Sequence, residues 1–195
     1  LELEALTQGA VHQGVAIEIA GYDYADALEL LDRVSATGRK PLFVALDQVT
    51  DPHNLGAVLR SAGAFGADGV IIPQRRSADV NATVWKVSAG AAARVPVAKE
   101  TNLVRTLEAF KARGCFVVGL DGNASVSVDN LNLADQPLVL VTGAEGKGLS
   151  RLVRQTCDEI ASINIRAAVE SLNAAVATGI ALYEVDRVRR TTQGN

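Results

Sequence analysis

LFVALDQVTDPHNLGAVLRSAGAFGADGVII, residues 42–72, decides how this chain folds. The stretch opens on five apolar residues, Leu42-Phe43-Val44-Ala45-Leu46, and closes on a second apolar run, Val70-Ile71-Ile72. Between them Leu55, Val58, Leu59 and Ala62 recur at the spacing that keeps one helical face apolar. The reading is a buried strand at 42–46, a helix at 55–65 and a second buried strand at 70–72. Two strands that are apolar throughout and joined by a helix run parallel, because only a crossover returns the chain in the same direction.

Working toward the C-terminus, the alternation persists. The pattern predicts a helix at 82–92, a strand at 95–98, a helix at 103–112, and strands at 115–120 and 138–141. A helix at 149–157, a strand at 160–165 and a long helix from 172 to about 190 follow. The expected fold class is therefore α/β, a mostly parallel sheet flanked by helices on both faces. Toward the N-terminus, residues 15–19 alternate like a strand, and 24–34 carry Ala27, Leu28, Leu31 and Val34 at helical spacing before Gly38 stops the pattern. Gly38-Arg39-Lys40-Pro41 reads as a boundary.

At 195 residues the chain is long enough for one good core, or one domain with a remnant of another. A hydrophobic share of 48% and a mean hydropathy of +0.17 place it among folded globular chains. The net charge of −3 excludes a protein that holds nucleic acid by bulk charge, so any such site is a local basic patch. No apolar stretch is long enough to cross a bilayer, and Glu2, Glu4 and Glu18 stand where a signal peptide needs basic and then apolar residues. A cytoplasmic address and no membrane partner are expected. Cys115 and Cys157 lack CxxC spacing and a histidine cluster, so both are expected as packing residues and no metal site is anticipated. There is no methionine and residue 1 is Leu, which suggests a trimmed chain.

Parallel sheets bind ligands in loops beyond the carboxyl ends of their strands. Three such loops carry polar chemistry. The first, Asp47 to Arg60, has Pro52 enforcing an extended approach and Asn54 able to cap the helix. Arg60 lies off the apolar face, with a guanidinium fork suited to phosphate; from this helix alone a plain surface arginine reads equally well. The second, Thr142-Gly143-Ala144-Glu145-Gly146-Lys147-Gly148, lets backbone approach a ligand through its glycines. A phosphate-binding P-loop fails, because position 141 is Val and position 148 is Gly, and the dinucleotide fingerprint fails because the glycines run G-x-x-G-x-G. A tight turn remains open beside a ligand site. The third, Glu170-Ser171-Leu172-Asn173 and onward, offers Ser171 as a cap and Asn173 as donor and acceptor in the first helical turn, while Ala174, Ala175, Ala177 and Gly179 permit close packing.

In this order the three loops resemble the three motifs of the SpoU family of RNA 2′-O-ribose methyltransferases, the TrmH-like group of the SPOUT fold. The resemblance covers roughly residues 42–190. Pro73-Gln74-Arg75-Arg76-Ser77-Ala78, Asn81-Ala82-Thr83 and Ser88-Ala89-Gly90-Ala91-Ala92 are similar to intermediate segments of the members acting on 23S ribosomal RNA guanosine. His12-Gln13-Gly14-Val15 is similar to the end of the small RNA-binding domain that precedes the catalytic domain in such proteins. The domain expectation is thus a remnant and linker at 1–38 and a catalytic domain at 39–195.

The resemblance implies a deep C-terminal trefoil knot, a homodimer and transfer of a methyl group from S-adenosylmethionine to a ribose 2′-hydroxyl of RNA, with ribosomal RNA favoured. It implies a cofactor site at Thr142, Gly143, Gly146, Ile163 and Leu172, and a catalytic set of Asn54, Arg60, Glu145, Ser171 and Asn173. Because a guanidinium stays protonated, Arg60 suits a role on the adjacent phosphate and the developing alkoxide better than that of a base. Arg75 and Arg76 are the expected phosphate contacts, Lys86 and Arg94 weaker ones; Arg187, Arg189 and Arg190 read as a helix-end cluster favoured by the dipole without any partner. The chain departs from the family pattern at Asn164 and Ala167, where Pro and Gly are usual, and at Ala175, where Ser is common. Two rival readings stay open: an RNA-binding or ribosome-assembly protein that keeps the fold without activity, and a small-molecule enzyme on a doubly wound nucleotide fold.

Overall fold

The computed structural model describes residues 2–6, 14–15, 20–166 and 171–193. In chain order its elements are α1 (Glu2–Leu6), α2 (Ala27–Ser35), β1 (Leu42–Asp47), α3 (Pro52–Ala64), β2 (Gly69–Pro73) and α4 (Ala82–Val87). After them come β3 (Val97–Glu100), α5 (Leu103–Ala112), β4 (Phe116–Leu120), β5 (Val126–Ser127), β6 (Leu138–Gly143), α6 (Arg151–Thr156), β7 (Glu159–Ser162) and α7 (Ala174–Gln193). The strands form one seven-stranded sheet in the order β3-β2-β1-β6-β4-β7-β5, and every pairing is parallel.

Every residue of β1 and of β6 is buried, as the unbroken apolar runs require of strands covered on both faces. Alternate β1 side chains feed two cores. Leu42, Val44 and Leu46 pack with Leu55, Val58, Leu59 and Ala62 of α3 and with Leu182 and Val185 of α7. Phe43 and Ala45 face α2 and α5, where Phe43 meets Phe110 edge to face at 5.1 Å between ring centres. The register sets the site. Asp47 pairs with Gly143 and Leu120 with Thr142, so β1, β6 and β4 end side by side and their following loops open at one edge.

Several boundaries differ from the periodicity, each for a local reason. The helix expected at 24–34 begins at Ala27, because the Asp26 carboxylate accepts the Leu28 and Glu29 N–H groups at 2.9 Å. Tyr22 and Tyr24 stay outside it, their hydroxyls accepting N–H groups of Val97 and Val80 while the Tyr22 ring packs against both Tyr24 and Trp85. The segment at 82–92 breaks after Val87, where Ala89 (φ 50°) and Gly90 (φ 87°) turn left-handed before a short 3-10 turn at Ala91–Ala93. The strand expected at 160–165 ends at Ser162, and the two-residue β5 is too short for any period to reveal. The strand expected at 15–19 falls mostly outside the described residues.

The basic cluster at the end of α7 also differs from expectation. Arg187 pairs with Glu184 and Arg190 with Asp186. Arg189 turns inward and donates to four backbone carbonyls, those of Ala134 (3.1 Å), Lys40 (2.9 Å), Pro41 (3.0 Å) and Gln136 (2.6 Å). It ties the last helix to the segments entering β1 and β6. Among the described residues no helix is long and apolar enough to cross a membrane.

Candidate active site

The first loop places Asn54 differently from its reading as a cap. Asp51 is the N-cap of α3, accepting the His53 N–H at 2.9 Å, and Pro52 occupies the first helical position, where its missing N–H costs nothing. Asn54 is thereby carried into the first turn with its side chain free to point elsewhere. It is buried, and it meets the second loop: its amide N–H donates to Glu145 Oε1 at 3.2 Å.

The third loop is also read differently by the structure. Asn173, rather than Ser171, caps α7, its Oδ1 accepting the N–H groups of Ala175 (2.9 Å) and Val176 (3.1 Å). Its amide nitrogen donates to Asn54 Oδ1 at 2.8 Å and to Glu145 Oε1. The Ala174 N–H donates to the same carboxylate oxygen at 3.4 Å. Three residues from three loops therefore form one closed network. Asn173 spends both amide hydrogens within it and its oxygen on the cap of α7. Among the described residues, one Asn54 amide hydrogen and Glu145 Oε2 take no partner.

The glycine loop holds Glu145 up to that network. Gly148 donates its N–H to the Ala144 carbonyl at 2.8 Å, closing a tight hairpin with Gly146 (φ 72°) and Gly148 (φ 64°) in left-handed conformations. A Cβ on Gly143 would overlap the Gly148 carbonyl and the Leu149 nitrogen, so only glycine fits at the hairpin base. Asp47, buried at the end of β1, accepts the Ser150 N–H at 2.6 Å and fixes where the loop exits.

Beside Glu145 lies a cleft of about 400 Å³, walled largely by apolar side chains and bare backbone. All five residues expected to hold a cofactor, Thr142, Gly143, Gly146, Ile163 and Leu172, line it, as do Glu145 and Ser171. Asn54 and Asn173 stand behind Glu145 and do not line it. Arg60 lies outside both groups: it is exposed, and among the described residues its side chain makes no hydrogen bond or ion pair. Six residues beyond Asn54 on α3, it points about a third of a turn away from it.

Sequence reasoning missed the loop after β4, where Asp121, Gly122 and Asn123 line the same cleft. Its position directly after a parallel strand was the available signal. Of the departures from the family pattern, Asn164 donates its amide to Ser127 Oγ at 3.0 Å and Ala175 is buried, while residues 167 and 168 lie outside the described residues. Arg75 and Arg76 leave β2 exposed, and Arg76 sits at φ 58°, an uncommon conformation for a residue with a Cβ. Cys115 is buried and Cys157 half-buried; burial pushes both thiols up to about 11, which leaves them unreactive at neutral pH. No cluster of metal-ligating side chains occurs among the described residues.

The model of the SpoU rRNA Methylase family matches residues 41–183. A curated "Uncharacterized tRNA/rRNA methyltransferase" of Mycobacterium avium (strain 104) is 53% identical over 190 residues, covering 97% of this chain and 60% of the relative. Its counterpart in Mycobacterium tuberculosis (strain ATCC 25177 / H37Ra) is 52% identical, covering 97% of this chain and 58% of that protein. The chain thus spans about 60% of the length of the curated relatives it matches. Among solved structures, the SpoU methyltransferase AviRb from Streptomyces viridochromogenes, in complex with the cofactor AdoMet, superposes with a TM-score of 0.76 at 31% identity, covering 89% of this chain and 67% of that one. The A. aeolicus TrmH/SpoU tRNA modifying enzyme gives 0.71 at 30% identity, covering 85% and 86%.

Proposed function

The chain belongs to the SpoU rRNA methylase family, and from that premise we propose that it transfers a methyl group from S-adenosylmethionine to a ribose 2′-hydroxyl of RNA, with 23S ribosomal RNA as the favoured substrate. The observation that carries the reading is the Asn54–Glu145–Asn173 network standing at the wall of a nucleoside-sized cleft. Its open valences are one amide hydrogen and one carboxylate oxygen. A hydroxyl, which both accepts and donates, complements that pair.

The cleft fits the cofactor on its own terms. Its volume lies in the range of small-molecule sites, and at Gly146, where nothing stands within 4 Å of the missing Cβ, bare backbone admits close approach of a ligand. Ile163 and Leu172 would offer the adenine an apolar wall. Once bound, the cofactor supplies an electrophilic methyl on a cationic sulfonium. Glu145 Oε2 accepts the hydroxyl proton in a hydrogen bond and orients the attacking lone pair, while Asn54 and Asn173 hold the carboxylate in one rotamer. Ser171, exposed at the cleft, offers a further hydroxyl to the acceptor nucleotide. Arg60 fixes the neighbouring phosphate and stabilises the developing alkoxide, the hydroxyl proton passing to solvent or to that phosphate, and Arg75 and Arg76 take phosphates farther along the strand.

Arg60 reaches this chemistry as part of a homodimer. Val176, Ile180 and Tyr183 form an exposed apolar stripe on α7, beside the face of α3 that carries Ser61 and Phe65. A second copy covering that stripe brings an Arg60 into range of an active site. The reading also includes the deep C-terminal knot, a cytoplasmic address, and residues 1–38 as the end of a preceding RNA-binding domain and its linker. Incubation with labelled S-adenosylmethionine and ribosomal or transfer RNA tests the activity, with Arg60→Ala as control and the modified ribose mapped. Label on a base rather than on ribose, or none on any RNA, overturns the reading.

A further inference from the structure

Besides Glu145, one carboxylate lines the cleft among its described residues, that of Asp121. Asp121 is the first residue after β4 and is held there by its backbone, its N–H donating to the Ala161 carbonyl at 3.0 Å and its own carbonyl accepting from Ala124 at 3.1 Å. Its side chain is gripped twice. Oδ1 accepts the Asn123 N–H at 2.8 Å, and Oδ2 is paired with Arg154 of α6. The Asp121 side chain is 18% exposed against 44% for Arg154, so the pair turns its carboxylate inward and its guanidinium outward.

This grip fixes the carboxylate without exhausting it. A carboxylate has about four acceptor positions, and the two named bonds leave one on each oxygen. The space beside Oδ2 is kept clear by Gly148, where even a Cβ would stand 3.9 Å away. Glu145, by contrast, has one oxygen consumed by three donors. A carboxylate held on both oxygens, with two adjacent open acceptors, at the carboxyl end of a parallel strand and followed by glycine, matches the two donors of a vicinal diol. Acidic residues at such strand ends take ribose hydroxyls in doubly wound sheets by the same geometry.

We propose that Asp121 binds the 2′- and 3′-hydroxyls of the cofactor ribose, with Arg154 as the positioning residue that holds its carboxylate. The nucleoside end of the cofactor then lies at β4 and the methyl donor at Glu145. This assignment rests on reading the cleft as the cofactor site. Calorimetry with S-adenosylhomocysteine and its 2′,3′-dideoxyribose counterpart, on wild type and Asp121→Asn, tests it. Wild type binds the ribose form at least about tenfold more tightly, as expected for hydrogen bonds to a charged group, and Asp121→Asn brings the ribose form down to the dideoxy level while leaving the dideoxy affinity unchanged. Equal binding of both forms by wild type overturns the assignment without any variant. A variant that weakens both forms equally shows that Asp121 serves only the loop, and overturns it too. Wild type that binds neither form removes the cofactor reading itself and this assignment with it.

Discussion

The hydroxyls of Thr142 and Thr178 lie 2.7 Å apart in the core, and their direction is fixed by a third group. Thr178 spends its one hydrogen on the Ala174 carbonyl at 2.7 Å, so Thr142 must be the donor between the two threonines. Thr178 is fully buried and Thr142 nearly so. The pair pins the first turn of α7 to the last residues of β6, which are the turns that carry Asn173 and Glu145.

Thr178→Val keeps the shape but leaves the Thr142 hydroxyl without its acceptor in the core. The expected loss is about 1–3 kcal/mol in urea unfolding, with Thr178→Ser close to wild type. Affinity for S-adenosylmethionine falls in the valine variant and returns in the serine one.

Asn173→Ala removes the α7 cap and two donors to the network in one change. Stability drops by about 1 kcal/mol, the usual cost of losing an asparagine cap. Methyl transfer falls by about a hundredfold or more, since Glu145 loses its fixed orientation. Cofactor affinity by calorimetry changes little, because Asn173 stands behind the cleft rather than in it. A large loss of cofactor binding would contradict that placement.

Two glycines close to the site separate rigid from yielding neighbours. A Cβ on Gly143 meets the backbone of Gly148 and Leu149, which cannot move without opening the hairpin. A Cβ on Gly119 meets side-chain ends, Leu149 Cδ1 at 2.5 Å, Cys157 Sγ at 2.9 Å and Ile160 Cδ1 at 2.9 Å. Gly119→Ala is expected to cost about 1–3 kcal/mol by overpacking, and Gly143→Ala to abolish the folded loop and with it all cofactor binding. Thermal melts and calorimetry on the two proteins rank them.

Arg189→Ala strips donors from four carbonyls at once. A loss of about 3 kcal/mol or more in chemical denaturation is expected, and Arg189→Lys recovers little of it because an ammonium cannot span the same fork. Rescue by lysine to wild-type stability would show that charge alone matters there.

Alkaline pH bears on the two thiols. Burial raises both from an ordinary value of 9.0 to about 11, so the unfolded chain loses these protons first as pH rises. The proton-linked stability is whole below pH 9 and is lost between about pH 9 and 11. Replacing Cys115 and Cys157 together by Ala flattens that part of the stability profile, measured by denaturant titration at stepped pH.

The sequence by itself determined the parallel α/β sheet, since an unbroken apolar strand next to an amphipathic helix needs no distant information, and it placed three polar loops after strands. The cleft residues Thr142, Gly143, Gly146, Ile163 and Leu172 were legible through the resemblance of these loops to the SpoU motifs, since position after a strand marks a loop without naming its ligand. Local competition was not: Asp51 caps α3 because Pro52 follows it, which frees Asn54, and Asn173 displaces Ser171 as cap by folding its own oxygen onto the helix start. Only the tertiary structure decided that Asn54 meets Asn173 across 119 positions and Glu145 across 91, and that Asp121 joins their cleft. Periodicity reports which face of an element is buried, whereas the order β1-β6-β4 that sets these loops side by side is chosen by packing between elements far apart in the chain.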